Sequence, residues 1–133
     1  MKVPHSDLRM ELPATLEAVE AFCVEFRRWR AVACADLDAF AAELLLREAL
    51  TNAVVHGRAE GPRERISCVL RAKRGRLIIS IRDGGQGFDW RAAWDRKADA
   101  WATGGRGLEI LRRYASAVRF NPTGNSVTLI QRF

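Results

Sequence analysis

The 133 residues are enough for one domain with a buried core, and this length excludes a catalytic domain joined to a separate sensor. Lysine and arginine number 22 against 16 acidic residues, a net charge of +6, but arginine outnumbers lysine 19 to 3 and is scattered along the sequence. A nucleic-acid binder should cluster its basic residues among aromatic ones, so we predict no nucleic-acid partner.

A strand and a helix are predicted at the start of the chain. Residues Leu8–Leu12 alternate apolar and polar side chains, as a half-buried strand does, and Pro13 ends the pattern. Apolar residues then recur at helical spacing from Leu16 to Trp29, with Thr15 as a suitable N-cap. We expect an amphipathic helix of about four turns.

A second helix is predicted to run to Gly57, a residue type that commonly ends helices. Either Asp36 or Asp38 can cap its start, and its apolar face begins at Phe40. His56 lies in the last turn, where an interaction with the terminal carbonyl groups is favoured over a role as ligand or phosphate acceptor.

The remainder predicts two hairpins separated by a long segment and a third helix. The long segment, Asp83–Gly107, holds Trp90, Trp94 and Trp101, which we expect to pack a lid helix or, alternatively, to form a partner surface. The other predicted elements are strands at Ile66–Ala72 and Leu77–Arg82 joined at Arg74-Gly75, a helix at Leu108–Ala115, a strand at Val118–Asn121, a turn at Pro122–Asn125 and a strand at Ser126–Phe133.

This order of elements predicts a single α/β (α+β) domain over residues 1–133. Its form is a two-layer sandwich, with a mixed, mostly antiparallel sheet covered on one face by about three helices. Cys23, Cys34 and Cys68 are odd in number and widely spaced, which favours buried free thiols over disulfides or zinc. The sequence shows no signal peptide and no apolar run that could cross a bilayer, so we expect a soluble cytoplasmic protein without a membrane partner.

Three short motifs follow one another in a fixed order and could surround one nucleotide. One lies in the second helix, one follows a strand, and one opens the third helix. They are Glu48-Ala49-Leu50-Thr51-Asn52, Asp83-Gly84-Gly85-Gln86-Gly87 and Gly104-Gly105-Arg106-Gly107-Leu108.

The first motif places a carboxylate and an amide on one face of a helix. Glu48 and Asn52 are four residues apart, so their side chains are neighbours. The Asn52 amide oxygen could ligate Mg²⁺ while Glu48 accepts a proton from a nucleophile. The alternative is structural: Glu48 pairs with a neighbouring arginine and Asn52 is solvated.

The two glycine motifs fit the two ends of a nucleotide. Asp83 ends an apolar strand and could accept the exocyclic amino group of adenine, although Asp-Gly-Gly is also a common turn sequence. Gly105 and Gly107 precede a helix, whose free amide groups favour phosphate oxygens, and Arg106 could add a charged contact. The motif lacks the lysine and the hydroxyl residue of a P-loop.

Together the three motifs resemble the nucleotide-binding boxes of the GHKL superfamily of histidine-kinase-like ATPases. With Glu48 through Gly57 as the first box and with its small size, the chain looks most like the anti-sigma-factor serine/threonine kinases of bacterial partner-switching systems. The resemblance covers nearly the whole chain and implies the Bergerat-type ATP-binding fold. A sensor histidine kinase, a gyrase or a MutL-like protein would need further domains.

The resemblance implies a role for each matching residue. Asn52 would coordinate Mg²⁺ on the ATP phosphates, Glu48 would be the general base for a substrate hydroxyl, and Asp83 would recognise adenine. The remaining ATP-binding positions implied are Gly85, Gly87, Gly105, Arg106, Gly107 and Leu108. Relatives often carry threonine after the glycine of the last hairpin, where this chain has Asn125, which could still form a hydrogen bond.

The resemblance also implies the partners. An anti-sigma-factor antagonist would be the serine/threonine substrate, a sigma factor would be the second partner, and the kinase would be a homodimer. Two functions stay open: such a kinase, and a non-catalytic module in which bound ATP controls the affinity for a regulatory partner.

Overall fold

A computed structural model describes residues 7–58, 64–85 and 106–133 as five strands and three helices. The predicted long segment lies largely outside these ranges, as do Gly87, Gly105 and the three tryptophans of that segment. The elements in chain order are β1 (Asp7–Pro13), α1 (Leu16–Ala33), α2 (Ala39–Arg58), β2 (Arg65–Lys73), β3 (Arg76–Asp83), α3 (Arg106–Tyr114), β4 (Ala117–Phe120) and β5 (Ser126–Arg132).

The strands form one sheet in the order β1-β2-β3-β5-β4, and the helices cover one of its faces. Every pairing between described strands is antiparallel, with Ile66 opposite Asp83 and Arg82 opposite Ser126. The predicted two-layer sandwich is therefore confirmed, without a parallel pair among the described strands. This register brings the end of β3 beside the start of β5.

Helix α1 begins where the sequence predicts. The Thr15 hydroxyl accepts a hydrogen bond from the Ala18 amide at 3.1 Å, so Thr15 is the N-cap. Val19, Phe22 and Phe26 are buried, while Leu16 is 50% exposed at the helix start. The helix has 18 residues, or five turns, one more than expected.

Helix α2 is capped by Asp38, whose carboxylate accepts the Ala41 amide at 3.1 Å. Phe40 does not join the apolar face as predicted and is 72% exposed, because the buried side of the helix starts one residue later at Ala41. The helix continues through Gly57 to Arg58, a difference of the size expected at frayed helix ends.

An ion-pair network joins α1 to α2 on the side away from the sheet. Glu43 accepts hydrogen bonds from Arg27 at 2.7 and 2.8 Å and from Arg47 at 3.1 Å. Arg47 also pairs with Glu20 of α1. Because these groups are partly in water, we expect the network to orient the helices more than to stabilise them.

The core lies between the helices and the inward face of the sheet. Leu45, Leu46 and Leu50 of α2 pack over inward residues of β2, β3 and β5, such as Leu70 and Ile79. The three cysteines are buried and free, as predicted. No helix within the described residues combines the length and apolar character needed to span a membrane.

Candidate nucleotide site

A cavity opens where α2, α3 and the adjoining ends of β3 and β5 meet. The space within it is about 310 Å³ when the part open to solvent is included. Its lining residues come from α2, β3, α3, β4, β5 and the turn between β4 and β5. They are Ala49, Asn52, Ala53, His56, Ile81, Asp83, Leu111, Phe120, Gly124, Asn125, Ser126 and Val127.

Helix α2 forms one wall because one of its faces combines small and polar residues. Ala49, Asn52, Ala53 and His56 recur at spacings of three and four residues and therefore share that face. The two alanines leave room beside the polar side chains. The Asn52 side chain is half-buried, and its amide makes no hydrogen bond to another described residue.

Asp83 places a carboxylate at the buried end of β3. The residue is 6% exposed, and its amide donates a hydrogen bond to the Asn125 carbonyl at 2.9 Å. Its Oδ1 accepts the amide of Gly85 at 2.7 Å, which folds the chain back immediately after the strand. The Asp-Gly-Gly sequence thus forms the turn that composition favours, and the same turn places Asp83 in the cavity wall.

Gly85 lies where a side chain has no room. A Cβ atom there would be 2.8 Å from Asp83 Oδ1 and 2.9 Å from the His56 carbonyl oxygen. At Gly84 a Cβ would meet only the end of the flexible Glu64 side chain. The second glycine of the motif, rather than the first, therefore lets β3 approach the end of α2.

The turn between β4 and β5 is held by a set of amide hydrogen bonds that sequence reasoning missed. Asn121 Oδ1 accepts the amides of Gly124 at 2.8 Å and Ser126 at 3.1 Å, and Asn121 Nδ2 donates to Asn125 Oδ1 at 2.6 Å. Asn125 Nδ2 in turn donates to the Gly85 carbonyl at 3.3 Å. The sequence signalled Asn121 only as the last strand residue before Pro122, whereas the structure makes it the organiser of the turn.

Glu48 lies one helical turn before Asn52 but does not line the cavity. Partial burial raises the pKa of its carboxyl, and the positive charge of Arg47 opposes this shift to a lesser extent. Arg47 pairs instead with Glu20 and Glu43, so the structural alternative of a Glu48–arginine pair is not found among the described residues.

The third motif opens α3 in part. The helix begins at Arg106, two residues earlier than predicted, so Arg106, Gly107 and Leu108 form its first turn. Leu111 from the following turn lines the cavity, which places the free amides of the helix start within about 8 Å of it along the axis. Such amides favour a negatively charged ligand.

The donor set fits Mg²⁺ only together with a ligand. Among the described residues there is no group of three or more His, Cys, Asp or Glu side chains able to hold a metal. The Asn52 amide lines the cavity and offers an oxygen donor, and Mg²⁺ commonly takes one or two protein ligands together with water and phosphate oxygens. Among the residues described, the cavity therefore fits an Mg²⁺ that is held mainly by the phosphates of a bound nucleotide.

Comparisons with known proteins identify the family and a similar fold. The sequence profile of the family described as "Histidine kinase-like ATPase domain" matches residues 12–131. Among solved structures, the crystal structure of the RsbU and RsbW domains of Rv1364c from Mycobacterium tuberculosis matches with a TM-score of 0.68 and 22% identity. That match covers 98% of this chain and 33% of the solved chain, so this chain spans about a third of its length. No curated protein sequence matches.

Proposed function

The chain belongs to the histidine kinase-like ATPase domain family, and from this premise we propose that it is an ATP- and Mg²⁺-dependent serine/threonine protein kinase of a partner-switching system. The observation that carries the proposal is the cavity that Asn52 of the first motif and Asp83 of the second line together. Two motifs separated by 30 residues of sequence thus share one opening in the surface.

Asp83 and the turn around it serve as the adenine end of the site. A carboxylate oxygen accepts hydrogen bonds, so Asp83 would select the exocyclic amino group of adenine over the carbonyl of guanine. Gly85 keeps the wall free of a side chain, and Asn125 holds the Gly85 carbonyl in place. These residues bind and orient the base without taking part in the chemistry.

Asn52 and the start of α3 serve the phosphate end. The Asn52 amide oxygen would hold Mg²⁺, which would supply neutralisation of charge on the phosphates. Amides of the first α3 turn, with Gly105 and Arg106, would bind phosphate oxygens. Gly87, Gly107 and Leu108 complete the set of ATP-binding positions proposed from the motifs.

Glu48 is the proposed general base. Its carboxylate would take the proton of a serine or threonine hydroxyl as the oxygen of that hydroxyl bonds to the γ-phosphorus and the bond to the β-phosphate oxygen breaks. The raised pKa of Glu48 suits this task, because a stronger base removes a hydroxyl proton more readily.

The proposed partners follow from the same premise. The substrate is a small antagonist protein that carries a serine or threonine, and a sigma factor or an equivalent regulator is the second partner. A homodimer and a cytoplasmic location complete the proposal.

The test is phosphate transfer from ATP radiolabelled at the γ position to antagonist proteins encoded beside this gene. We expect labelled serine or threonine with the native protein and a loss of at least about 100-fold in rate with Glu48→Gln. Glu17→Gln, an exposed position on α1, should label at the native rate. Undiminished labelling by Glu48→Gln would remove the proposed base.

One observation favours a non-catalytic ATP-binding module as the second candidate: Glu48 does not line the cavity that holds Asn52 and Asp83. Such a module would bind ATP, lose binding in Asp83→Asn, and label no protein. Equilibrium binding of a fluorescent ATP analogue, measured beside the transfer assay, separates the two candidates.

A further inference from the structure

The face of the sheet turned away from the helices is lined by arginine and lysine. Side chains alternate between the two faces of a strand, and the residues facing away from the core are the exposed ones of each strand. We call this surface the basic face. Its cationic residues, all exposed, are Arg9, Arg65, Arg71, Lys73, Arg76, Arg82, Arg119 and Arg132.

The charge on this face is strongly one-sided. Against eight cations it carries two acidic residues, Asp7 and Glu11. The rest of the described chain, including both long helices, holds nine cationic and ten acidic residues and is therefore nearly neutral. The excess positive charge of the described residues thus belongs to one side of the sheet.

Most of these cations are not neutralised within the described chain. Asp7 lies 3.8 Å from Arg9 and 3.7 Å from Arg71, and these are the ion pairs found on this face. The other six cations have no carboxylate within ion-pair distance in residues 7–58, 64–85 and 106–133. Arginine presents a planar set of donors that matches carboxylates, so the face is suited to bind them.

The centre of the face differs from its margin. Ile78 is paired with Ile130 across β3 and β5, Val69 is paired with Ser80 across β2 and β3, and all three apolar side chains are half-buried. Ser80 and Thr128 are paired across β3 and β5 beside them. An apolar centre surrounded by charged residues is the usual composition of a protein–protein interface.

We propose that the basic face binds the acidic surface of a partner protein. Charge complementarity selects this occupant, because acidic side chains would pair with the six unneutralised cations while aliphatic side chains cover the centre. A second copy of this chain would place a face of the same positive charge against it, which is repulsive. A single-stranded nucleic acid would require aromatic side chains for base stacking, and the described strands place none on this face.

The test measures binding to fluorescently labelled poly-L-glutamate, a pure acidic polypeptide, by anisotropy at about 50 mM and about 200 mM NaCl. The variant Arg82→Glu with Arg119→Glu changes two exposed cations of the basic face. The control, Arg28→Glu with Arg30→Glu, changes the charge equally on α1. We expect the first variant to lower the affinity at least about tenfold and the control to lower it less than about twofold. Circular dichroism verifies that both fold.

Three results would overturn the proposal. One is equal weakening by both variants, and a second is tighter binding of single-stranded RNA or duplex DNA than of poly-L-glutamate at the same salt concentration. The third is light scattering that shows a dimer which the basic-face variant dissociates, since the occupant would then be a second copy. Asp83→Asn should leave poly-L-glutamate binding intact, so failure of the nucleotide site is distinguished from failure of the basic face.

Discussion

The Asp83 carboxylate is the point at which the sheet, the end of α2 and the β4–β5 turn meet. The backbone amide of Asp83 donates a hydrogen bond to the Asn125 carbonyl, and its Oδ1 accepts one from the Gly85 amide. Gly85 in turn lies close to the His56 carbonyl. A buried carboxylate is costly without hydrogen-bond partners. These hydrogen bonds therefore offset the cost of burying the Asp83 carboxylate and fix its direction. Small changes at these residues should therefore affect nucleotide binding and stability together.

Gly85→Ala should be far more damaging than Gly84→Ala. The new methyl group at position 85 would lie 2.8 to 2.9 Å from two oxygen atoms, one of them in the backbone. Overpacking of this kind costs about 1–3 kcal/mol, and we expect ATP affinity to fall at least about tenfold. Thermal unfolding and ATP titration measure both effects. Gly84→Ala meets only the Glu64 side chain and should stay close to native; equal losses in the two variants would contradict the structure.

Glu48→Gln should stabilise the protein at alkaline pH. Folding raises the pKa of Glu48 above its ordinary value of 4.5, so its contribution to stability is complete below that pH and is lost as the pH rises through the folded-state pKa. Glutamine does not titrate. The Tm of the variant should equal that of the native protein near pH 4.5 and exceed it at pH 8 by on the order of 1–2 °C, a small effect because the side chain is partly in water.

Glu17→Gln is the control for this experiment, since Glu17 is exposed on α1. Its Tm should follow the native value at both pH values. A Glu48→Gln variant that is less stable than native at pH 8 would show that the ionised carboxylate is stabilised in the fold, contrary to the burial described above.

The start of α2 and the turn between β2 and β3 together position the residues of the candidate site. The Asp38 cap fixes where α2 begins, and 14 residues later the same helix presents Asn52 to the cavity. Between β2 and β3, Arg74 and Gly75 both have positive φ angles of 52° and 74°, as a tight hairpin turn requires. That turn sets the register that brings Asp83 to the end of α2.

Asp38→Ala should destabilise the protein by about 1 kcal/mol, the usual cost of losing an N-cap. Asp36→Ala provides a matched control from the same loop, because the Ala41 amide at the start of α2 donates its hydrogen bond to Asp38. Urea unfolding followed by circular dichroism measures the difference. If Asp36→Ala lost as much stability as Asp38→Ala, the cap would be misassigned.

At the scale of the whole molecule, one core buries all three thiols and one face collects the positive charge. Cys23 of α1, Cys34 after it and Cys68 of β2 are each at most 2% exposed. Burial raises the pKa of Cys23 to about 11 and also raises the pKa of Cys34 and Cys68. Two effects therefore lower the reactivity of these thiols: reagents have little access to them, and only a small fraction is in the reactive thiolate form.

The native protein should accordingly react with DTNB only through unfolding. At pH 8 we expect labelling at least about 100-fold slower than in denaturing urea, where all three thiols react. Absorbance of the released thionitrobenzoate follows the reaction. Rapid labelling of one thiol under native conditions would reveal local opening around that cysteine.

Local patterns were enough to predict most of the elements. The alternation in β2 and β3, the Thr15 cap and the Arg74-Gly75 turn each depend on neighbours in sequence, and the structure confirms them. Phe40 shows the limit of such patterns. It fits the apolar spacing of α2, yet at the start of the helix it stays exposed and does not join the core. Asn121 shows the same limit, because its hydrogen-bond partners Gly124 and Ser126 lie across a turn whose conformation residue spacing does not predict.

By itself the sequence determined the two-layer fold, the three motifs and the family they resemble, because these follow from periodicity and short-range chemistry. Only the tertiary structure decided that Asn52 and Asp83 share a cavity while Glu48 lies outside its lining. It also decided that eight cationic residues scattered along the chain share one face of the sheet. Residues at every second position of a strand are separated in sequence but lie on the same face of the sheet. Antiparallel pairing then joins the corresponding faces of neighbouring strands into one surface.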